Sequence, residues 1–437
     1  MPPIQNTCSP GLGIRLDRNH HSYQPGDTIV GWVYRTSPVV CPDAAVKVSL
    51  HGATRTRMRS GVRWADTYQG QFTIIEGDKN KQELFRGPLH IDAASGSDQS
   101  RQEWPFAFTL PTHVDLSWFA NSKHSREVYM PLSGGSIGVE PLPASFQKIQ
   151  DGEYNEGIVE YYLRASLELR SKDAPDALAA LLPIKILPSL PEKVPSFENS
   201  LQLNREPVPF QVPNFSLGSK PHLSKSQKMK NLLKSSSASQ STHEIHTWVP
   251  SVLQINDRRP IGFLLHITPT GKNAPELIEE LAPTVQLKRF EVQIESLIGI
   301  KAETTYGSID DGWKSNVDLT KHISPSFFSK IVIPSTEDLP PIDLGQMMNF
   351  HLPSFNMPDA LSPSFSICNI KVEHTIHWQV DYEIAGRACK ARGSQSLLLL
   401  PAADACYPPV DNQADSNVQL PPYQASAATA APVYSKE

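Results

Sequence analysis

Cysteine is scarce in this sequence and shows no pattern of use. The five cysteines are spread along 437 residues, at positions 8, 41, 368, 389 and 406. Their number is odd, and no two of them have the Cys-x-x-Cys spacing of a metal site. We therefore expect neither a disulfide scaffold nor a metal site built on cysteine, and we expect a reducing, cytosolic compartment.

Long apolar runs and an excess of positive charge are missing as well. The apolar run Leu397–Leu400 is far too short to cross a bilayer, and no charged segment followed by an apolar one opens the chain. We therefore expect any membrane contact to be peripheral. The formal net charge of −5 gives no general attraction to nucleic acid, so no nucleic-acid partner is expected.

Proline, by contrast, is abundant, and apolar residues often recur at every second position. The 39 prolines disfavour long helices and favour turns and sheet edges. In Tyr161–Leu169, apolar residues at odd positions alternate with mainly polar ones, which is the period of a half-buried strand. The chain is long enough for two ordinary domains. These features together predict an all-β protein.

The first predicted strands follow a turn with defined chemistry. Pro25 and Gly26 fit the second and third positions of a type II β-turn, because proline fixes φ and glycine accepts a positive φ. The strand Ile29–Tyr34 comes next, with Ile14–Leu16 before the turn and Val46–Leu50 further on. We predict that these three strands form an antiparallel meander at the start of a β-sandwich.

Further strands are predicted in both halves of the chain. They are Phe72–Ile75, Leu84–Ile91, Trp104–Leu110 and Gly157–Leu169 in the first half, and Ile245–Ile255, Ile261–Ile267, Val285–Ile300, Ile331–Pro334 and Asn369–Ala385 in the second. Asp173–Ala180 is interpreted as a short helix or loop. One more strand is placed near Phe210–Leu217, within a stretch rich in proline, lysine and serine.

Several segments occur in an order that is informative as a set. They are Tyr23–Asp27, Val46–Gly52, Trp104–Pro111, Leu142–Phe146 before the strand Gly157–Leu169, and Pro363–Ile367 before Lys371–Ala385. In this order they resemble the arrestin family, in particular the α-arrestin-like proteins of fungi. The resemblance implies two tandem arrestin-like, immunoglobulin-like β-sandwich domains, at 9–187 and 243–402. A connector with a Lys/Ser-rich loop is expected at 188–242, and a disordered tail at 403–437.

The tail contains two short motifs, Leu420–Tyr423 and Ala431–Tyr434. A WW domain binds a polyproline helix through a proline and a tyrosine that follows after a spacer. Neither motif has the strict Pro-Pro-x-Tyr form, since Leu420 and Ala431 stand at the first position. The predicted WW-binding residues are Leu420, Pro421, Pro422, Tyr423, Pro432 and Tyr434. The alternative is a chance occurrence in a proline-rich tail.

Two basic clusters are candidate contacts for anions. The first consists of Arg55, Arg57, Arg59 and Arg63. Strand alternation places its first three members on one side, where they are predicted to contact phosphate groups or an acidic segment of a membrane cargo. The alternative is a solvated edge strand. The second cluster consists of Lys225, Lys228 and Lys230, as candidate contacts for anionic lipid, with a solvated linker as the alternative.

A hydrolase is the one enzyme class suggested by a motif. Gly134–Gly138 has the Gly-x-Ser-x-Gly pattern around Ser136. That pattern positions a nucleophile only when a helix follows it, and Pro141 and Pro143 prevent such a helix. We interpret the match as accidental.

Other residues that carry chemistry do not form a site either. His374 and His377 are expected to point to opposite faces of a strand, so they do not share a metal ion. Asp310 and Asp311 are assigned to a glycine-flanked turn. No phosphate-binding glycine loop is present. We therefore predict no catalytic residue, no metal and no cofactor.

The arrestin resemblance implies a non-catalytic adaptor. The predicted partners are a WW-domain ubiquitin ligase of the HECT type and the cytosolic segments of membrane transporters or receptors. The expected location is the cytoplasm, with peripheral recruitment to the plasma membrane or endosomes. The alternative is an arrestin-fold scaffold in signalling or vesicle trafficking, of the pH-signalling or retromer-subunit kind, in which the tail motifs play no part.

Overall fold

The computed structural model describes most of the chain up to residue 402. The described residues are 6, 11–17, 22–60, 66–92, 102–115, 128–129, 139–150, 155–170, 175–188, 201–211, 240–270, 285–304, 307–334, 339–352, 361–384 and 387–402. The chain divides into two units, 1–403 and 404–437, and all described residues lie in the first. This unit is all-β. None of its described helices is long and apolar enough to cross a membrane.

The described residues of the N-terminal half form twelve strands. They are β1 (Gly13–Leu16), β2 (Ser22–Tyr23), β3 (Thr28–Arg35), β4 (Val39–Ser60), β5 (Asp66–Ile75), β6 (Lys81–Ile91), β7 (Gln102–Thr109), β8 (His113–Asp115), β9 (Val139–Pro141), β10 (Phe146–Ile149), β11 (Glu156–Arg170) and β12 (Pro175–Ile186). One sheet has the order β1-β3-β7. The larger one has the order β2-β12-β11-β4-β5, with β10 also paired to β11 and β6 to β4. β8 and β9 pair with each other.

The described residues of the C-terminal half form eleven strands and two short helices. They are β13 (Leu201–Gln211), β14 (Gln240–Pro250), β15 (Val252–Gln254), β16 (Leu264–Thr270), β17 (Val285–Thr304), β18 (Gly307–Asp318), α1 (Pro325–Phe328), β19 (Val332–Ile333), β20 (Ile342–Asp343), α2 (Leu344–Met348), β21 (Phe365–Ile367), β22 (Ile370–Ile384) and β23 (Arg387–Leu400). The sheets have the orders β13-β14-β16-β20 and β15-β23-β22-β17-β18. β19 also pairs with β17, and β21 with β22.

The alternation seen in the sequence becomes the buried face of the strands. On β11, Tyr161, Leu163, Ala165 and Leu167 are at most 1% exposed. They lie beside the buried residues of β4 and face those of β3 and β7 in one continuous cluster. Burying a large apolar side chain contributes roughly 1.5–3 kcal/mol, so this cluster is the main source of stability in the N-terminal half.

The turn before β3 is confirmed. Gly26 has a φ of +92°, and the Asp27 N–H donates to the Gln24 carbonyl at 3.0 Å. The Asp27 carboxylate also accepts from the Gln24 N–H at 2.7 Å. A residue with a side chain would be strained at Gly26, because that φ is one that L-residues rarely adopt.

The predicted meander is wrong. β1 does pair with β3, but β3 then pairs with β7. β4 lies in the larger sheet, where it pairs with β11 on one side and with β5 and β6 on the other. Consecutive strands are often neighbours, but here the chain crosses to the opposite sheet after β3.

Two other local predictions concern the strands β12 and β13, and the first of them is wrong. Residues 175–180 belong to β12 and are not a helix or loop, because ten residues of β12 pair with β11. Of the strand placed near Phe210–Leu217, Phe210 and Gln211 form the end of β13, which begins at Leu201, and 212–217 lie outside the described residues. Pro207 and Pro209 lie within β13, which is the edge strand of its sheet among the described strands. An edge strand tolerates proline, because the N–H groups on its outer side pair with no strand of the sheet.

Candidate functional site

Arg55, Arg57 and Arg59 of the first basic cluster lie on one face of β4, as alternation predicted. Thr54, Thr56 and Met58 of the same strand are at most 3% exposed, whereas Arg55 and Arg57 face the other way. β4 is not an edge strand here, because it is paired with β11 on one side and β5 on the other. The interpretation as a solvated edge strand is therefore wrong.

Two of these arginines are paired with carboxylates of β11. Arg55 Nη2 lies 2.6 Å from Glu160 Oε2, and the two side chains are only 16% and 12% exposed. Arg57 Nη2 lies 3.4 Å from Glu156 Oε2, and the Glu156 side chain is 5% exposed. The positive charges of Arg55 and Arg57 are thus balanced by two carboxylates with little access to water.

A cavity of about 60 Å³ lies beside these ion pairs. Its lining residues include Arg55, Arg57, Gln69, Gln71 and Glu156. This volume holds a few water molecules. A phosphate or carboxylate ligand therefore binds these guanidinium groups only if it displaces the carboxylate of Glu156 or Glu160. Sequence reasoning missed both glutamates, although Glu160 lies within the predicted strand Gly157–Leu169.

Removing one carboxylate should strengthen anion binding on this face. We expect Glu160→Gln to bind a phosphorylated peptide about fivefold more tightly than the wild type, because Arg55 then has an unbalanced charge. Isothermal titration calorimetry measures the change, and Glu291→Gln on the C-terminal half is the matched control. Equal affinities for all three proteins would show that this face does not bind anions.

The two halves are joined by a buried polar contact. The Asn369 side-chain amide donates to Thr56 Oγ1 at 2.9 Å, and Thr56 Oγ1 donates to the Lys301 carbonyl at 2.5 Å. Asn369 is fully buried, and Gly70 of β5 packs against all three of these groups. Apolar residues of β17, β21 and β22 also join the N-terminal core. The halves thus share one continuous interior.

Tyr129 adds a second contact between the halves. Its N–H donates to the Cys368 carbonyl at 2.6 Å, and its hydroxyl donates to Asp310 Oδ1 at 2.5 Å. The ammonium groups of Lys301 and Lys371 lie 4.5 and 5.1 Å from the ring centroid. Burial raises the pKa of Tyr129, and the hydrogen bond to Asp310 adds to that shift. The hydroxyl therefore stays protonated and remains a donor.

Asp310 and Asp311 lie within β18 and not in a turn. They pair with Lys301 and Ile300 of β17, so the glycines on either side do not end the strand. Asp311 accepts from the Asn155 side chain at 3.1 Å. Tyr129 binds Asp310, so both aspartates contribute to the contact between the halves. This structural role accounts for the two carboxylates without a catalytic one.

His374 and His377 point to opposite faces of β22, as predicted. His374 is 3% exposed, and its ring lies 2.9 Å from both Ser296 Oγ and the Ser362 carbonyl. His377 is 43% exposed. Burial lowers the pKa of His374 to about 4. Ser296 and His374 resemble a nucleophile with its base, but both are buried away from any substrate.

The remaining candidates lie outside the described residues. They are Arg63, Ser136, Lys225, Lys228, Lys230, Leu420, Pro421, Pro422, Tyr423, Pro432 and Tyr434. Within the part of the chain that the structure describes, no group of three or more His, Cys, Asp or Glu residues is arranged to hold a metal ion.

No protein-family model matches the chain, and no curated protein matches it.

Proposed function

We propose that the protein is a non-catalytic, arrestin-like adaptor that links plasma-membrane cargo to a WW-domain ubiquitin ligase. The β-rich unit, with its two arrestin-like sandwich domains, contacts a cytosolic segment of a transporter or receptor. The tail recruits the ligase, and ubiquitination then directs the cargo to endocytosis. The protein works in the cytoplasm and is recruited peripherally to the plasma membrane or endosomes.

The observation that carries this proposal is the division of the chain at residue 403. The β-rich unit ends there, and both tail motifs belong to the separate unit 404–437. An adaptor needs this separation, because the segment that binds a WW domain has to present its proline and tyrosine in an extended form.

The shared interior of the two halves supports the same proposal. Thr56, Asn369 and Tyr129 connect the halves through buried groups, so the unit can hold a bound cargo segment in a fixed position. A tethered ligase then acts on acceptor lysines at a high local concentration. No bond is made or broken by the adaptor itself.

The tail motifs give the most direct test. We expect the full-length double variant Tyr423→Ala/Tyr434→Ala to bind a purified WW domain of a HECT ligase at least tenfold more weakly than the wild type, because the tyrosine groove is left empty. Each single variant should have an intermediate affinity, because it keeps one of the two sites. Fluorescence anisotropy with a labelled WW domain measures the affinities.

Tyr407→Ala is the matched control, because Tyr407 lies in the same tail but precedes its prolines. It should bind like the wild type. If the double variant also binds like the wild type, the two tail motifs do not recruit the ligase. The scaffold function in signalling or vesicle trafficking then replaces the adaptor function.

A further inference from the structure

Among the described strands, β18 lies at the edge of its sheet and is long. Its twelve residues pair with β17 in an unbroken register from Gly307 to Asp318, and it contains no proline. Among the residues that the structure describes, none pairs with its other side. Nine of its twelve residues are exposed. Long regular edges of this kind are usually covered, because their unpaired N–H and C=O groups are a template for another strand.

The backbone direction shows which residues have free groups on that side. The Leu319 N–H, just after β18, donates to the Val292 carbonyl of β17. The backbone N–H and C=O groups of odd positions therefore point towards β17. The Gly312 N–H instead donates to the Asp311 side chain, which agrees with even positions pointing outwards. The backbone groups of the even-numbered residues therefore point towards a partner strand, and their side chains lie on one face. These residues include Ser308, Asp310, Lys314 and Asn316.

The charges on that face of β18 are complementary to those of a second, antiparallel copy of the strand. An antiparallel copy of β18, related by a two-fold axis at Gly312, places Asp310 opposite Lys314 twice and Ser308 opposite Asn316 twice. An axis at Lys314 instead opposes like charges. We propose that β18 pairs with β18 of a second copy of this chain, in the register centred on Gly312. The interface is isologous, as in most homodimers.

Asp311 controls the centre of this interface. Its carboxylate accepts a hydrogen bond from the Gly312 N–H at 2.7 Å. In the proposed dimer, this N–H group would instead donate to the other copy, in the central pair of intermolecular hydrogen bonds. The carboxylate is also held by Asn155 of the N-terminal half. Pairing therefore requires that Asp311 release Gly312. A dimer would carry two tails, and so four tail motifs, which goes beyond the proposed function of a single adaptor.

Charge reversal tests the proposed register. Full-length Lys314→Glu should raise the dimer dissociation constant about tenfold or more, measured by sedimentation equilibrium, because it faces Asp310 of the other copy. Asp310→Lys/Lys314→Glu should restore dimerisation, and Asp311→Ala should tighten it. Both variants lose a contact between the halves, from Tyr129 to Asp310 or from Asn155 to Asp311, so each is compared at a temperature at which its thermal unfolding shows it to be folded. Lys321→Glu, with the same charge change just beyond β18, should match the wild type. Thermal unfolding shows whether the Lys314→Glu monomer is folded, since Lys314 also pairs with Glu295 at 2.8 Å.

A disulfide provides a second, independent test. The double variant Ser308→Cys/Asn316→Cys should form a covalent dimer on mild oxidation, because paired Cα atoms about 5.5 Å apart suit a disulfide. Within one chain the two positions are about 26 Å apart along the strand, so only an intermolecular bond is possible. Each single variant should crosslink no faster than the wild type. A wild type that is monomeric at about 100 μM, or a double variant without crosslinking, overturns the proposal.

Discussion

Gly70→Ala is expected to lower the free energy of unfolding by at least about 2 kcal/mol. A Cβ atom at this position would lie 2.7 Å from Thr56 Oγ1, and 2.9 Å from both Asn369 Nδ2 and the Lys301 carbonyl oxygen. These atoms are backbone or short buried side chains, so they cannot move aside easily. The new methyl group therefore pushes β5 away from β17 and breaks the buried hydrogen bonds that join the halves.

Gly262→Ala is the matched control for this prediction. A Cβ atom at Gly262 has Leu201 Cδ2 as its nearest neighbour, at 3.8 Å, which is an ordinary contact. The control should unfold like the wild type or slightly later, since alanine reduces the entropy of the unfolded chain.

Urea unfolding gives the free energies, and hydrogen exchange locates the change. Amides of β5 and β17 should lose protection in Gly70→Ala, while those of β3 and β7 should keep it, because that sheet lies away from the contact between the halves. If Gly70→Ala is as stable as Gly262→Ala, the halves do not depend on this contact.

The second large effect concerns acid stability. As pH falls from 6.5 to 4, His374 is expected to remove about 3 kcal/mol from the free energy of unfolding. Its pKa is lowered from 6.5 to about 4 in the folded protein by burial, and the Ser362 carbonyl opposes this only in part. A pKa difference of about 2.5 corresponds to about 3 kcal/mol.

The sign follows from which state binds the proton first. Below pH 6.5 the histidine of the unfolded chain becomes charged, while the buried ring stays neutral until about pH 4. The unfolded state therefore binds more protons in this window, so stability falls as pH falls. Above pH 6.5 the ring is neutral in both states and contributes no pH dependence. Burial and Arg164 lower the pKa of His51 as well, in the same direction.

A substitution isolates the contribution of His374. His374→Asn cannot titrate, so its stability should fall less than that of the wild type between pH 7.5 and 4.5, by about 2–3 kcal/mol. His90→Asn, at a side chain that is 66% exposed, should retain the wild-type dependence. Urea unfolding at the two pH values provides the comparison. Parallel curves for all three proteins would mean that His374 takes up its proton equally in both states.

The polar contacts show where sequence reasoning stops. Alternation placed Arg55 and Arg57 on one face of β4, but it did not reveal that Glu160 and Glu156 balance them. Thr56 and Asn369 are 313 positions apart in sequence, and no local pattern links them. Asp310 and Asp311 were assigned to a turn because of the neighbouring glycines, whereas pairing with β17 keeps them in a strand.

The sequence by itself determined the all-β class, the buried face of β11, and the turn at Gly26. These features depend on a period of two or on one residue's φ, and both are properties of a few adjacent residues. Only the tertiary structure decided that β3 pairs with β7, that carboxylates neutralise the arginines of β4, and that a buried amide joins the halves. Each of those contacts depends on which distant strands become neighbours, and many pairings would bury the same apolar faces equally well.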